Sequence, residues 1–399
     1  MKKKQTNTIW AVGNSTTHPL VEAYTAGDDY VLDQKLLSCD IQASIAHAEM
    51  LKKIGVLTAQ ELRAAKKGLA KAQALWKEGK FTISQAQEDG HTALEQFLTE
   101  NFGDVGKKIH TGRSRNDQAL VMTRLYMKEK LAEVQKLTKK LENAFAKKGT
   151  AMKYAMPGYT HMQKAMPTTV QVWLNSYADA LKDAEVQLLG VQQIIDQNPL
   201  GSASGFGIAN FKLDRAYTTR TLGFKKTQEN PLYCGMSRGY FEHIAMQAME
   251  NFMLLAGKFA NDMMLFTTQE FGFFSLPEEF TTGSSIMPQK RNYDLFEIMR
   301  GNVKVFSGYH DQVRNIVASL GSGYHRDYQL TKKPFVLSVE LCITTLELLV
   351  EVVGNIKADK EKLAAAMTDD LFATEKVYAL VKKGMSFRDA YVEVKKQLR

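Results

Sequence analysis

Apolar residues recur at intervals of three and four over five long stretches of this chain. In 119–148 the stripe is Leu131, Val134, Leu137, Leu141 and Phe145. In 168–197, between Pro167 and Pro199, it is Trp173, Tyr177, Leu181, Ala184, Leu188, Val191 and Ile195. In 240–270 it is Met246, Met249, Met253, Ala256, Ala260 and Met263. Segments 293–318 and 334–357 repeat the pattern. This is the period of amphipathic helices. Each stretch is about 25–30 residues, so each helix is roughly 40 Å long at about 1.5 Å per residue. Five such helices in succession predict a long bundle, with the methionine stripe as core rather than a cofactor box. The most apolar stretch, Phe335 to Ile356, carries Glu340, Glu347 and Glu351 on one helical face. A half-wet bundle helix fits it better than a membrane span.

The segments between the helices have another character. PLGSASGFGIAN at 199–210 and TTGSSIMPQKRN at 281–292 are rich in Gly and Ser, and KIHTGRSRNDQ at 108–118 is densely polar. Polar loops held by rigid helices are where chemistry is expected. A first boundary falls near residue 110 and a second near 360. They divide the chain into an N-terminal helical portion (1–110), the long bundle (111–360) and a short helical tail (361–399). A length of 399 residues suits two to three domains.

Composition narrows the classes. Hydrophobic residues at 44% and charged residues at 24% belong to an ordinary folded protein. The 52 basic against 43 acidic residues leave a net charge of +9. That excess is scattered over Lys-rich helical stretches such as 136–148, with no basic motif interleaved with aromatics and no zinc-finger spacing. It reads as a solvated surface and suits an anionic small substrate better than nucleic acid. Cys39, Cys234 and Cys342 are far apart in sequence and outside any metal-ligand spacing, so they read as reduced, buried thiols. Met1-Lys2-Lys3-Lys4 is followed by polar residues rather than an apolar run, which predicts no secretory signal and a cytoplasmic protein. No Walker A loop and no GxGxxG after a strand is present, and no cofactor or metal is implied.

Three places can carry chemistry. In Gly283-Ser284-Ser285-Ile286-Met287-Pro288-Gln289-Lys290-Arg291-Asn292, Ile286, Met287 and Pro288 are poor residues for a plain surface turn. A serine there acts as a base only if its pKa is strongly lowered by a helix N-terminus, backbone N–H groups or Lys290. Thr160-His161 follows Gly158 at a loop-to-helix junction, where a lone histidine is more often structural than catalytic. His91, after Glu88 and Asp89, reads equally well as part of a helix-start network. Arg113, Ser114, Arg115, Asn116 and Asp117 precede a helix. Asn116 or Asp117 is the expected N-cap, and the two arginines suit a carboxylate ligand, which guanidinium binds bidentately.

The loop GSSIMPQKRN resembles the signature of the fumarase/aspartase superfamily of lyases. HTGRSRNDQ, with EDGHT at 88–92 and GYTHMQ at 158–163, is similar to the argininosuccinate lyase family within it. DIQASIAHAEML at 40–51, NPLGSASGFG at 198–207, YHRDYQLTKK at 324–333 and KKGMSFRDAY at 382–391 extend the likeness over nearly the whole chain. The resemblance implies an all-α, fumarase/aspartase-like fold: a central long five-helix bundle flanked by two smaller helical domains. It implies a homotetramer with sites shared between chains. It implies reversible elimination of fumarate from argininosuccinate to give L-arginine, in arginine biosynthesis. By the family motif Ser284 is the base, and Lys290 and Asn292 stabilise the reacting carboxylates. His161 is the acid partner, oriented by Glu297. Asn116, Thr160, Tyr324, Gln329 and Lys332 hold substrate, and Arg113, Ser114, His91 and Asp29 complete the binding set.

The chain departs from the family in four places. Lys290-Arg291-Asn292-Tyr293-Asp294 replaces KKNPD. Asp29 stands where the family has a serine that contacts substrate, so it either reshapes selectivity or pairs with a neighbouring Lys or Arg. Ala11-Val12-Gly13-Asn14 replaces Gly-Gly-Arg-Phe, and the chain ends soon after Tyr391. Three other readings compete: the same elimination on an N-acylated or otherwise modified argininosuccinate, a catalytically silent crystallin-like protein, and a nucleic-acid binder.

Overall fold

The structure, a computed structural model, describes residues 18–398. The basic start of the chain and the 11–14 departure lie outside the described residues.

Among the described residues the five predicted long helices are present, and ten others accompany them in sequence. In chain order the helices are α1 (Pro19–Ala26), α2 (Asp29–Lys53), α3 (Ala59–Lys77), α4 (Gly90–Phe102), α5 (Val105–Lys108), α6 (Arg115–Ala151) and α7 (Val170–Ile195). They continue as α8 (Arg215–Thr221), α9 (Pro231–Met236), α10 (Tyr240–Phe266), α11 (Asp294–Val317), α12 (Lys332–Asn355), α13 (Lys360–Ala366), α14 (Ala373–Lys382) and α15 (Phe387–Gln397). Helix α2, with 25 residues, is a sixth of the same length that is not among those predicted; the predicted long ones are α6, α7, α10, α11 and α12. Their apolar stripes lie inside as the period predicts: Leu131, Val134, Leu141 and Phe145 of α6, Leu181, Leu188 and Ile195 of α7, and all four methionines of the α10 stripe are buried. In α12, Glu347 and Glu351 are exposed. No helix among the described residues is long and apolar enough to cross a membrane. The three cysteines are free and buried, and burial pushes the Cys39 and Cys342 thiols up to about 12.

Two compact units make up the chain. The first comprises Met1–Ala132, Leu188–Ala248 and Gly308–Glu340. Helices α2, α3, α4 and α5 pack on one another there, burying Leu37, Ile41, Leu51, Leu69, Leu94 and Leu98 as one apolar cluster. Side chains set the ends of these helices. Thr58 and Glu61 form a reciprocal capping box at the start of α3, and Asp89 caps α4 by accepting from the Thr92 N–H at 2.8 Å. A Cβ at Gly68 of α3 would meet Leu98 at 2.4 Å, so any larger residue there forces the Leu98 side chain to move.

The second unit comprises Glu133–Gln187, Met249–Ser307 and Leu341–Arg399. Its core is aromatic: Phe145 and Tyr177 stack at 5.3 Å, and Phe259 meets both rings edge-on. Asp262 is drawn into this apolar setting because it accepts from Trp173 Nε1 at 2.8 Å and from the Tyr177 hydroxyl at 2.6 Å. The unit also contains a β-hairpin that helical periodicity does not reveal. Strand β1 (Ala155–Thr160) pairs antiparallel with β2 (Gln163–Thr169). Pro157, Gly158 and Pro167 interrupt any alternating pattern, so the segment reads as a loop from sequence.

Candidate active site

In the first unit, a cavity of about 200 Å³ is lined from five segments: Asp29 and Asp33 of α2, His91 at the start of α4, Asn116 at the start of α6, Arg238 ahead of α10, and Tyr324, Gln329 and Lys332 from 324–332. Their spacing follows from helix ends. The first turns of α4 and α6 leave backbone N–H groups open, so acidic and hydroxyl side chains gather there to accept from them. At α6 the residue that caps is Ser114, not Asn116 or Asp117 as expected. Ser114 accepts from the Asn116 N–H at 3.3 Å, while Asp117 reaches back to the Ser114 N–H at 2.8 Å. The other Asp117 oxygen takes the N–H groups of Gly201 and Ala203 at 2.9 and 3.1 Å, tying down the Gly/Ser-rich loop after Pro199. Burial pushes Asp117 up to about 6 despite these three donors.

The cavity walls are strongly ionic. Lys332, 3% exposed, sits 2.5 Å from Asp33 and 3.1 Å from Asp29. Burial opposes its charge, but the two carboxylates prevail and hold its pKa above the ordinary lysine value. Arg115 donates to Asp89 at 2.7 Å and to Glu88 at 3.0 Å. His91 donates from Nδ1 to Asp40 at 2.6 Å. Burial opposes an imidazolium there, yet Asp40, Asp89 and Asp33 together raise the His91 pKa. The Nε2 atom of His91 is buried without a hydrogen-bond partner, as are Nε and Nη1 of Arg238, which also lines the cavity. Unmade hydrogen bonds on buried cations are costly unless a ligand completes them. Gln329 is turned by the Thr25 and Ala26 carbonyls, to which its Nε2 donates at 2.9 and 3.2 Å. An adjoining hollow of about 390 Å³ shares His91, Arg115 and Asn116 and adds Arg113 and Ser114. Arg113 donates to Ser44 at 3.0 Å, and burial lowers its pKa.

In the second unit, Thr160 closes β1 and His161 occupies the hairpin tip with Met162. Both tip residues take positive φ, 53° and 61°. Two consecutive residues in the left-handed region form the two-residue turn that hairpins favour, at a backbone cost that Gly or Asn would largely avoid. His161 thus projects from a β-turn rather than from the loop-to-helix junction that the sequence suggests. Ser284 opens a second hairpin, in which Thr282 and Gly283 pair with Asn292 and Arg291. Its Oγ accepts from the backbone N–H groups of Ile286 at 3.3 Å and Met287 at 3.1 Å. Lys290 and Asn292 lie on the same hairpin, and Thr282 fastens it to α11 by donating to Asp294 at 2.9 Å. Glu297 is exposed in the first turn of α11. Among the described residues, no hydrogen bond or ion pair joins His161 to Glu297 within the chain.

Residues 14–308 match a family model described as lyase. An argininosuccinate lyase of Thermotoga neapolitana is 40% identical over 386 residues, 96% of this chain and 96% of that protein. Another from Sorangium cellulosum is 42% identical over 393 residues, 97% of this chain and 89% of its own length. The chain belongs to the argininosuccinate lyase family. Among solved structures, an EDDS lyase variant with bound fumarate shares the fold, with a TM-score of 0.80 at 22% identity over 96% of this chain and 76% of that one.

Set against the residues expected of an argininosuccinate lyase, the cavity of the first unit brings together Asp29, His91, Asn116, Tyr324, Gln329 and Lys332. Arg113 and Ser114 line its neighbour. Ser284, Lys290 and Asn292 share one hairpin of the second unit, whereas Thr160 and His161 share another. Arg238 and Asp33 escape sequence reasoning. The one available sign is charge placed against an apolar background, Asp33 between Leu32 and Leu36 and Arg238 just ahead of the apolar start of α10. Such residues are retained inside only when something pairs with them.

Proposed function

We propose that this lyase eliminates fumarate from argininosuccinate and releases L-arginine, in the cytoplasm, as a step of arginine biosynthesis. Ser284 removes the proton from the succinyl carbon next to a carboxylate. The electron pair forms the carbon–carbon double bond of fumarate as the carbon–nitrogen bond breaks. Lys290 and Asn292 stabilise the doubly charged carboxylate that develops on the way. His161 supplies the proton that the departing guanidinium nitrogen takes up. Asn116, Thr160, Tyr324, Gln329 and Lys332 hold the substrate, with Arg113, Ser114 and His91 behind them.

One observation carries this reading: the two backbone N–H groups on Ser284 Oγ. An aliphatic hydroxyl is a poor base, and donors already aimed at its oxygen stabilise the alkoxide it must become. The decisive experiment follows fumarate by its ultraviolet absorbance after argininosuccinate is added. Steady fumarate formation supports the reading, and a folded protein that forms none refutes it.

The proposal includes a homotetramer whose sites draw residues from several chains, with Glu297 orienting His161 across chains. Long helices with apolar side chains left outside, such as Val172 and Val186 of α7 and Leu254 of α10, supply surface for such contacts. Light scattering is expected to give four chain masses. Mixing inactive His161→Asn and Ser284→Ala proteins, after dissociation and reassociation, is expected to restore part of the activity, since some sites then take both residues from intact chains. A fully active monomer, or mixtures as inactive as their parents, would contradict shared sites.

A further inference from the structure

The hairpin that carries His161 ends in solvent: Thr160, His161, Met162, Gln163 and Lys164 are all exposed. A two-residue turn by itself leaves such a tip free to swing. A group that takes part in proton transfer has to be held, since a misplacement of about 1 Å costs about a hundredfold in rate. The rung of the ladder next to the tip supplies the hold. Tyr159 pairs with Lys164 across the strands, one step before Thr160 and Gln163 at the turn. Directly opposed residues of a hairpin project from the same face, so the two side chains leave the ribbon together. Both line a hollow of about 510 Å³ beside it, with Phe271, Lys362 and Ala366.

The two side chains run to different anchors. Tyr159 packs its ring against Phe266, at the end of α10, with centroids 6.2 Å apart, and against Phe271 in the loop that follows, at 5.7 Å. Lys164 reaches the last residue of α13, donating from Nζ to the Ala366 carbonyl at 2.9 Å. The final carbonyls of a helix have no partner inside it and form its negative end, so a cation is favoured there. Asp370, in the short turn Asp369–Phe372 just beyond, adds a carboxylate. The Thr368 side chain first, and Lys164 with it, hold the Asp370 carboxyl below its ordinary pKa. The rung is thus held by an aromatic contact on one element and by a charge seated on another. Two anchors on separate elements stop a ribbon from both rocking and twisting, which a single anchor cannot do.

We propose that Lys164 is a positioning residue for His161: seated on the Ala366 carbonyl, it fixes the angle at which the hairpin presents the imidazole. It thereby ties the segment 360–372 to the chemistry. The proposal rests on the lyase reading for the role of His161. A charged contact on an exposed surface contributes little to global stability, so its effect falls on the geometry of the tip rather than on folding. An arginine at this position still reaches the carbonyl with a donor, whereas a leucine keeps the apolar stem and has none.

The test is fumarate release from argininosuccinate by the full chain carrying Lys164→Leu or Lys164→Arg, each alone and in the His161→Asn background. Lys164→Leu is expected to lower kcat about tenfold, with KM within about twofold and an unchanged thermal midpoint. Lys164→Arg is expected to keep kcat within about twofold of wild type. In the His161→Asn background the leucine is expected to cost less than about twofold, because residues that act through one group are not additive. A Lys164→Leu protein with wild-type kcat, a loss carried by KM, an arginine no better than leucine, or an equal loss in both backgrounds overturns the proposal. The Met162 methyl resonance, in protein labelled with carbon-13 at the methionine methyls, reports on the tip without turnover. Lys164→Leu is expected to shift it and Lys164→Arg to restore it, with the buried Met246 and Met253 unmoved. Wild type that forms no fumarate while Met162 responds in this way would condemn the lyase reading and leave Lys164 as the anchor of the tip. A Met162 resonance that ignores Lys164→Leu overturns the anchor whatever the activity.

Discussion

Replacing Ser284 by Ala is expected to lower kcat for fumarate release by about a hundredfold to ten-thousandfold, the usual loss with a positioned general base. The side chain is half-buried at the mouth of a hairpin, and among the described residues its only hydrogen bonds are those from the Ile286 and Met287 N–H groups. Removing Oγ takes away the proton acceptor and leaves those donors to water, so the fold has little to lose. The thermal midpoint should stay within a few degrees of wild type. Ser284→Cys should also be poor, because a thiolate is larger and a weaker base than an alkoxide. A Ser284→Ala protein that unfolds normally and keeps kcat within threefold of wild type would remove Ser284 from the mechanism.

The second large effect is on stability. Lys332→Met is expected to destabilise the fold by about 3–5 kcal/mol, the cost of breaking a buried ion pair by removing one partner. Asp33 and Asp29 would be left facing each other without their cation, Asp33 deep inside and Asp29 at the cavity edge. The pH dependence has a definite sign. The folded pKa of Lys332 is raised, so its contribution is fully present below the ordinary lysine value of 10.5 and fades as the pH rises through the folded value. In the Lys332→Met protein Asp29, whose pKa burial already raises, ionises at a cost, so the deficit should shrink as the pH is lowered and Asp29 takes up a proton. Thermal unfolding at neutral and mildly acidic pH measures both. A midpoint unchanged at neutral pH would show that the Asp29–Lys332–Asp33 cluster is solvated in solution.

Activity loss in such a variant would need care in assignment, since Lys332 both braces the cavity and faces it. Ser284 is the cleaner probe because its contacts are local, whereas Lys332 couples α12 to α2 and, through Asp33, to the Gly90 N–H at the start of α4. Residues joined in this way do not contribute additively.

Much of this molecule could be read along the chain, for a reason that lies in helices themselves. A helix repeats its contacts every three or four residues, so the apolar stripes of α6, α7 and α10 were visible before any neighbour was known. The motifs HTGRSRND, GYTH and GSSIMPQKRN point to the chemistry because each is a short local run. What tertiary structure alone decided involves partners distant in sequence. The 155–169 hairpin depends on cross-strand pairing through Pro157 and Pro167, which local propensity argues against, and on a tip turn that places His161 and Met162 at positive φ. Asn116 and Asp117 were as good as Ser114 for the α6 cap on residue type; in the fold one Asp117 oxygen is taken by the Gly201 and Ala203 N–H groups, partners that the local sequence does not show. Asp29 could equally have been a free carboxylate or a structural ion pair. Its surplus over Asp33 appears only when Lys332, about 300 residues away, is brought between them, because electrostatic need is a property of the assembled cavity and not of the residue.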